Sequence, residues 1–143
     1  MLDKVPEHIE KALENDHLWD YDVINLERVS ENRPLFYLGM KIMAKFGVVP
    51  FLKCHQSTAN SWLKLMESNY HSTNTYHNST HAADVMQSCA YLLQKESIND
   101  CLSQEDFAVI IISAIAHDVD HPGKTNQFLV LTKNNLALLY NDM

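Results

Sequence analysis

Apolar side chains recur every three or four residues along most of the chain, which is the spacing of one face of an α-helix. The pattern is clearest between residues 33 and 46, where Pro34 suits the first helical turn and Gly47 suits the end. Asn32 precedes this segment and is predicted to cap its helix. The apolar positions of the predicted helix are Leu35, Leu38, Ile42 and Phe46.

Further stretches show the same spacing or carry residues that start a helix. In the first half of the chain they are residues 6–15, a short piece over 50–53, and a helix that Ser57 caps and that has apolar residues as far as Tyr70. In the second half they are residues 77 to about 95, a helix that Ser103 caps and that ends at residue 116, and one or two short helices between 125 and 140. The segment 107–116 is apolar nearly all round, so its helix is predicted to be central and buried. The predicted fold class is all-α.

The composition of the chain indicates a single soluble all-α domain. The chain has 143 residues, of which 46% are hydrophobic and only three are Gly, so it can bury one core and has few tight turns. The formal net charge of −7 argues against nucleic acid as a partner, because phosphate binding needs clustered Lys and Arg. The longest apolar run is too short to span a membrane. Three cysteines without CxxC spacing predict reduced thiols in an intracellular, cytoplasmic protein.

Two short stretches hold four of the eight histidines, YHNSTHAADV at 76–85 and HDVDHPG at 117–123. If residues 77–93 are helical, His77 and His81 lie one turn apart and about 40° apart around the axis. They would then face the same cleft, where one of the pair binds a metal ion and the other handles a proton.

The second stretch follows the buried helix, so packing would fix His117 and Asp118 while the turn after them opens to solvent. A carboxylate such as Asp118 can bridge two cations about 4 Å apart, which can polarise a phosphoryl oxygen and activate water. His121 and Asp84 are candidate outer partners that orient a ligand or a bound water. Asp120 either caps the turn or supports the site. Solvent contact or ordinary hydrogen bonding is expected for the other histidines, His8, His17, His55 and His71.

These stretches also carry a family resemblance. YHNSTHAADV and HDVDHPGKTNQF resemble the YHNxxHAxDV and HDxxHPGxxNxF stretches of the class I 3′,5′-cyclic nucleotide phosphodiesterases. Three further segments are most similar to the high-affinity, cAMP-specific subfamily eight of that family, and the resemblance covers essentially the whole chain. They are NRPLFYLGMKIMAKFG, ANSWLKLMESNYHSTNTYHNSTH and LALLYND.

The resemblance implies the multi-helix, HD-type catalytic fold and hydrolysis of the 3′ ester bond of a cyclic nucleotide, cAMP in this subfamily, to the 5′-monophosphate. It implies two divalent metal ions, Zn and Mg (or Mn). His81, His117 and Asp118 would be ligands of the tighter ion, with Asp118 bridging to the second. His77 would protonate the departing 3′ oxygen. Tyr76 and Asn78 would line the substrate pocket with His77 and Asp118, and His121 would lie outside the ligands.

The family's catalytic domain is longer than this chain, and its further Asp ligand and base-binding residues lie downstream. We therefore expect residues 1–143 to be the N-terminal portion of that domain, incomplete and poorly active alone. Activity would need a replacement ligand from Asp142, solvent or a second subunit. The alternative is a non-catalytic truncated form that binds a partner chain, or itself, through exposed apolar surface. A more general HD-type metal phosphohydrolase would explain His81, His117 and Asp118 but not the 76–78 triplet.

Overall fold

The computed structural model describes residues 5–140, and these residues form helices joined by turns, with no strand among them. The all-α prediction is confirmed. The helices are α1 (Glu7–Leu13), α2 (Val23–Val29), α3 (Pro34–Lys45), α4 (Val48–Phe51), α5 (Gln56–Ser68), α6 (Ser79–Leu93), α7 (Glu96–Asn99), α8 (Gln104–Ala116), α9 (Asn126–Leu131) and α10 (Asn135–Leu139). The apolar spacing did not predict the short helices α2 and α7.

The core lies where α3, α5, α6 and α8 meet. Helix α6 packs against both α3 and α8, and α3 packs against α5. Each of the four helices contributes side chains that are fully withdrawn from solvent: Leu35, Leu38, Ile42, Leu63, Met86, Ile111 and Ile115. Burial of this apolar surface is the main source of stability, and it fixes the relative positions of α6 and α8, which carry the candidate site.

Several predicted helix starts are wrong by one or two residues. Asn32 is not the cap of α3, because it adopts a left-handed φ of 63° and Arg33 takes the cap position. Helix α5 begins at Gln56 with His55 as its cap, so Ser57 lies in the first turn. The short helix predicted over 50–53 begins instead at Val48, directly after Gly47, whose φ of 63° ends α3 as predicted.

Helix α8 has the predicted start but is not buried all round. Ser103 and Asp106 form a capping box in which the Ser103 hydroxyl accepts from the Asp106 N–H and the Asp106 carboxylate accepts from the Ser103 N–H. Within residues 5–140, α8 packs against α3, α4 and α6, and its other face is left open. Val109 on that face is therefore 56% exposed, so α8 contributes to the core as predicted but is buried on one side only.

The last two helices are the most exposed apolar part of the described chain. Helices α9 and α10 pack against each other, and Leu129 and Ala137 are buried. Many of their other apolar residues face solvent: Phe128, Leu131, Leu136, Leu138, Leu139 and Tyr140. Among the described helices, none combines the length and the apolar character that crossing a membrane requires.

Candidate metal centre and active site

The structure brings three predicted metal ligands together from two helices. His81 comes from the first turn of α6, and His117 and Asp118 come from the C-terminal end of α8. The Nε2 atoms of His81 and His117 lie 3.4 Å apart. Asp118 Oδ2 lies 3.5 Å from the first and 3.2 Å from the second. All three ligand atoms therefore face one point.

The donor set fits a divalent metal ion. Because ligand bonds to zinc are about 2.0–2.2 Å long, neighbouring ligand atoms around one ion lie about 3–3.5 Å apart, as these atoms do. The His117 Nδ1 lies 2.9 Å from the Ala114 carbonyl oxygen, to which it can only donate, and this leaves Nε2 as the ring atom that faces His81 and Asp118. Two imidazole nitrogens and a carboxylate oxygen suit borderline and hard divalent ions.

Burial also favours the ligating form of His81. Removal of the ring from water lowers the pKa of His81, and the neighbouring His117 and His77 lower it further, against opposing effects of the carboxylates of Asp118 and Asp84. The net effect keeps the imidazole neutral at pH 7, with a lone pair available. A neutral ring is the state that metal binding requires.

The start of α6 is fixed by Asn78, which is the helix cap. Its Oδ1 accepts from the backbone N–H groups of Thr80 and His81 at 3.1 and 3.0 Å, so the cap bonds directly to a predicted ligand residue. Its Nδ2 donates to the Asn74 carbonyl. In this structure the Asn78 amide is thus engaged with the backbone, and its predicted contact with substrate stays a prediction.

The end of α8 is fixed by Tyr70. Its buried hydroxyl donates to the Ile115 carbonyl at 2.8 Å and accepts from the Asp118 N–H at 3.3 Å. Burial raises the pKa of Tyr70, which keeps the hydroxyl protonated for this role. From the sequence, Tyr70 was predicted only as an apolar position of a helix. The spacing of residues along the chain does not predict its hydrogen bond with the Asp118 backbone.

His77 reaches the site by a different route from the one predicted. It is not helical, because α6 begins at Ser79, so His77 and His81 are not one helical turn apart. Its Nε2 nevertheless lies 4.0 Å from Asp118 Oδ2, and its ring lies 3.8 Å from the His121 ring in a stacked arrangement with an interplanar angle of 16°. The bend before the cap, in which the Asn78 N–H donates to the Tyr76 carbonyl, therefore places the imidazole beside the predicted metal ligands.

Tyr76 lies against the same group of rings. Its ring centroid is 4.3 Å from that of His81 and 5.0 Å from that of His77, and its side chain is 61% exposed. An exposed aromatic ring at the edge of the group is available to a ligand. Its predicted part in substrate binding stays a prediction.

The other predicted residues lie around this group. The His121 Nδ1 accepts from the Gly123 N–H at 3.0 Å. The His121 ring stacks on His77 and not on a predicted metal ligand. Asp84 is exposed and acts on His81 only through its charge. Asp142 lies outside the described residues.

Asp120 supports the turn after Asp118, one of the two roles open for it from the sequence. It adopts a left-handed φ of 62°, its N–H donates to the Asn69 carbonyl, and its carboxylate lies 2.7 Å from the His71 Nε2. This pair joins the segment before α6 to the turn after α8. The sequence indicated ordinary hydrogen bonding for His71 without identifying its partner.

Comparisons with known proteins agree with this geometry. A family profile described as 3′5′-cyclic nucleotide phosphodiesterase matches residues 76–143. The human high affinity cAMP-specific and IBMX-insensitive 3′,5′-cyclic phosphodiesterase 8A is 52% identical over 141 residues, which cover 99% of this chain and 17% of that protein. The Drosophila melanogaster phosphodiesterase 8 is 40% identical over 94% of this chain and 15% of its own length. The chain thus spans less than a fifth of the length of each of these two relatives.

Solved structures show the same fold. The phosphodiesterase domain of the RhoPDE fusion protein from the choanoflagellate Salpingoeca rosetta aligns with a TM-score of 0.78 at 24% identity, covering 95% of this chain and 41% of that one. LmjPDEB1, solved in complex with IBMX, aligns with a TM-score of 0.78 at 20% identity over 99% of this chain and 44% of its own. From its sequence and its fold, the chain belongs to the 3′,5′-cyclic nucleotide phosphodiesterase family.

Proposed function

We propose that this chain carries the metal-binding part of an enzyme that hydrolyses the 3′ ester bond of a 3′,5′-cyclic nucleotide, cAMP in particular, to the 5′-monophosphate. The observation that carries the proposal is the convergence of His81, His117 and Asp118 on one point, with His77 Nε2 4.0 Å from Asp118. The cAMP preference is supported by the names of the phosphodiesterase 8 relatives.

His81, His117 and Asp118 are proposed to hold a divalent ion, zinc for the tighter site. Asp118 is proposed to extend to a second ion, magnesium or manganese. When bound, the ions supply charge stabilisation at the phosphoryl oxygens and lower the pKa of water. The ligand residues are held rigidly, because Asn78 bonds to the His81 backbone and Tyr70 bonds to the Asp118 backbone. Rigid ligands need little rearrangement on binding.

His77 is proposed as the general acid for the leaving 3′ oxygen. Its side chain is 36% exposed beside the ligand group, so a bound ester could reach it. Its ring is supported from one side by the stacked His121 ring. Tyr76, exposed beside both His77 and His81, and Asn78 are proposed to contact the substrate.

On its own, the 143-residue chain is proposed to be poorly active and intracellular. It spans 41% of the solved phosphodiesterase domain it matches, and we propose that it corresponds to the N-terminal portion of such a domain. Three protein ligands leave part of an ion's coordination shell to water. The affinity for the ion should therefore be lower, and its coordination geometry less well fixed, than in a complete site.

The test uses the purified chain with zinc and magnesium added. We expect binding of one zinc ion that Asp118→Ala abolishes and that Asp100→Ala, a change of the exposed carboxylate that follows α7, leaves intact. We expect slow cAMP hydrolysis that needs both Asp118 and His77. Zinc binding or hydrolysis that survives Asp118→Ala would overturn the proposed site.

A second function is supported by the exposed apolar residues of α9 and α10. We propose as the alternative a non-catalytic role in which this surface binds a partner chain or a second copy. Leu131 and Leu139 are 75% and 73% exposed, and exposed apolar groups of this kind mark association surfaces. A zinc-loaded, folded chain with no more hydrolysis than Asp118→Ala would favour this alternative.

A further inference from the structure

Asn74 joins the two histidine-bearing segments through a single amide group. It lies in the loop between α5 and α6, and its side chain is partly buried. Its Nδ2 donates to the His77 carbonyl at 3.0 Å and to the His121 carbonyl at 2.8 Å. One hydrogen of the amide serves each carbonyl, so the two backbones are held at a fixed separation.

The backbone of Asn74 is itself held by hydrogen bonds, and its side-chain oxygen lies against Gly123. Its backbone carbonyl accepts from Asn78 Nδ2 at 3.0 Å, and its N–H donates to the His71 carbonyl at 3.1 Å. Its Oδ1 lies so close to Gly123 that a Cβ added there would approach it to 2.3 Å. Gly123 also has a φ of +68°, so two independent features favour glycine next to Asn74.

The rings of the two bridged residues are stacked. The His77 and His121 ring centroids are 3.8 Å apart, and the same arrangement leaves His77 Nε2 at 4.0 Å from Asp118 Oδ2. His121 is held on its other edge by the bond from the Gly123 N–H to its Nδ1. A shift of either carbonyl would therefore move one ring across the other.

We propose that Asn74 is a positioning residue that sets the His77 ring on His121 and so fixes where the His77 Nε2 stands beside the metal ligands. The catalytic consequence rests on the proposed function, in which His77 donates a proton. An isosteric Asp at position 74 cannot donate to either carbonyl, and Ala offers no group at all. Either change releases the two backbones from each other.

The metal ligands are held by other contacts, which gives the proposal a selective signature. His81 is fixed by the Asn78 cap, His117 by its bond to Ala114, and the Asp118 backbone by Tyr70. Loss of the Asn74 amide should therefore disturb His77 and His121 while leaving zinc affinity nearly unchanged. A general loss of structure would lower zinc affinity as well.

The experiment compares Asn74→Asp and Asn74→Ala with Thr75→Ala, a change of an exposed neighbour in the same loop. Imidazole signals of His77 and His121 are recorded by long-range ¹H–¹⁵N NMR, and zinc affinity is measured by competition with a chelator. We expect both Asn74 variants to lose the ring-current shifts of the stacked pair and to bind zinc within about threefold of wild type. Thr75→Ala should match wild type in both readouts.

Gly123→Ala tests the same contact from the opposite side and does not remove the amide. Its methyl group would displace Asn74 Oδ1, so we expect the same loss of ring-current shifts. In the Asn74→Ala background the contact with Oδ1 is absent, so the Gly123→Ala change should cause a smaller loss than it does in wild type. Unchanged ring signals in Asn74→Asp and Gly123→Ala would overturn the proposal. So would a fall in zinc affinity in these variants as large as the change in their ring signals.

The outcome separates this inference from the proposed function. Altered ring signals with no cAMP hydrolysis in wild type or any variant would support the positioning role of Asn74 and contradict the proposed enzymatic function. If wild type hydrolyses cAMP, Asn74→Asp should lower kcat at least tenfold with little change in KM, because the proton donor moves while the metal ligands stay. Hydrolysis at the wild-type rate in Asn74→Asp would overturn the positioning role.

Discussion

His81 combines two properties that bear on metal binding at the scale of one residue. Burial lowers the pKa of His81 from its ordinary value of 6.5, and its Nε2 lies within 3.5 Å of both His117 Nε2 and Asp118 Oδ2. The neutral ring at pH 7 needs no deprotonation before it binds an ion. Because the native ring resists protonation, zinc affinity should hold at neutral pH and fall only in acid.

We predict that His81→Ala lowers zinc affinity at least about tenfold, since even outer partners of ligands are commonly worth that much. The exposed histidine of α1 gives a matched control, and His8→Ala should bind zinc as wild type does. Isothermal titration at pH 7 measures both. Equal affinities in the two variants would contradict a role for His81 as a ligand.

Glu67 is a buried carboxylate away from the candidate site. Its Oε1 accepts from the Phe36 N–H at 2.9 Å, and its Oε2 lies 3.4 Å from Arg33 Nε. Burial raises the pKa of Glu67 above its ordinary 4.5, and the bond from Phe36 and the charge of Arg33 only partly oppose this. Its native pKa therefore exceeds its unfolded value.

We predict that Glu67→Gln changes the pH dependence of unfolding. A raised native pKa contributes stability that is fully present below pH 4.5 and is lost as the pH rises through the native value. Wild type should therefore lose stability relative to Glu67→Gln as the pH rises from 4.5 through the native pKa of Glu67. Urea unfolding across this range measures the difference, with the exposed Glu14→Gln as control. Parallel curves for wild type and Glu67→Gln would refute the predicted shift.

At the scale of helices, the sequence predicted the type and approximate extent of the main helices, but it predicted the first residue only for α8. Helices α3, α6 and α8 lie where the pattern placed them, because each buries an apolar stripe. The starts differ because caps depend on local backbone angles that composition does not reveal. The sequence indicated Asn78 as part of a motif, but it is the cap of α6. Ser57 was predicted to be a cap, but it lies within α5.

The packing of α3 on α5 depends on Gly39. A Cβ at this position would lie 2.7 Å from Leu63 Cδ2, and Leu63 is fully buried. Alanine has the better helix propensity by about 1 kcal/mol, whereas overpacking of a buried contact costs about 1–3 kcal/mol. We expect the steric cost to exceed the gain in helix propensity, because Leu63 is fully buried and protein cores are close-packed.

We predict that Gly39→Ala lowers the free energy of unfolding by about 1 kcal/mol. In a Leu63→Ala background the same change should be neutral or stabilising, since the obstructing methyl groups are gone. Chemical denaturation of the four proteins of this double-mutant cycle gives the coupling energy. Additive effects would show that the contact is not the reason for glycine.

At the scale of the whole molecule, the site exists because α6 packs against α8. Spacing along the chain marked His81, His117 and Asp118 as candidates, but their convergence depends on that tertiary contact. Periodicity does not predict such contacts, and the family resemblance supplied the missing link. Asn74 and Tyr70 were missed for the same reason, because each acts on backbone groups that are distant in the sequence.

The exposed apolar residues of α9 and α10 lead to the last prediction. Leu131 and Leu139 face solvent at 75% and 73% exposure, and their contact with water is unfavourable. Association of two copies through these residues would remove apolar area from water, at about 25 cal/mol per Å². Because the ligand group lies on α6 and α8, association should not alter zinc binding.

We predict that the chain self-associates as its concentration rises and that Leu131→Glu with Leu139→Glu restores the monomer. Light scattering coupled to size-exclusion chromatography measures the mass across a concentration series. Val109→Glu, which changes an exposed apolar residue on α8, is the matched control and should associate as wild type does. A wild-type chain that stays monomeric throughout, or a Val109→Glu chain that alone becomes monomeric, would show that α9 and α10 are not the association surface.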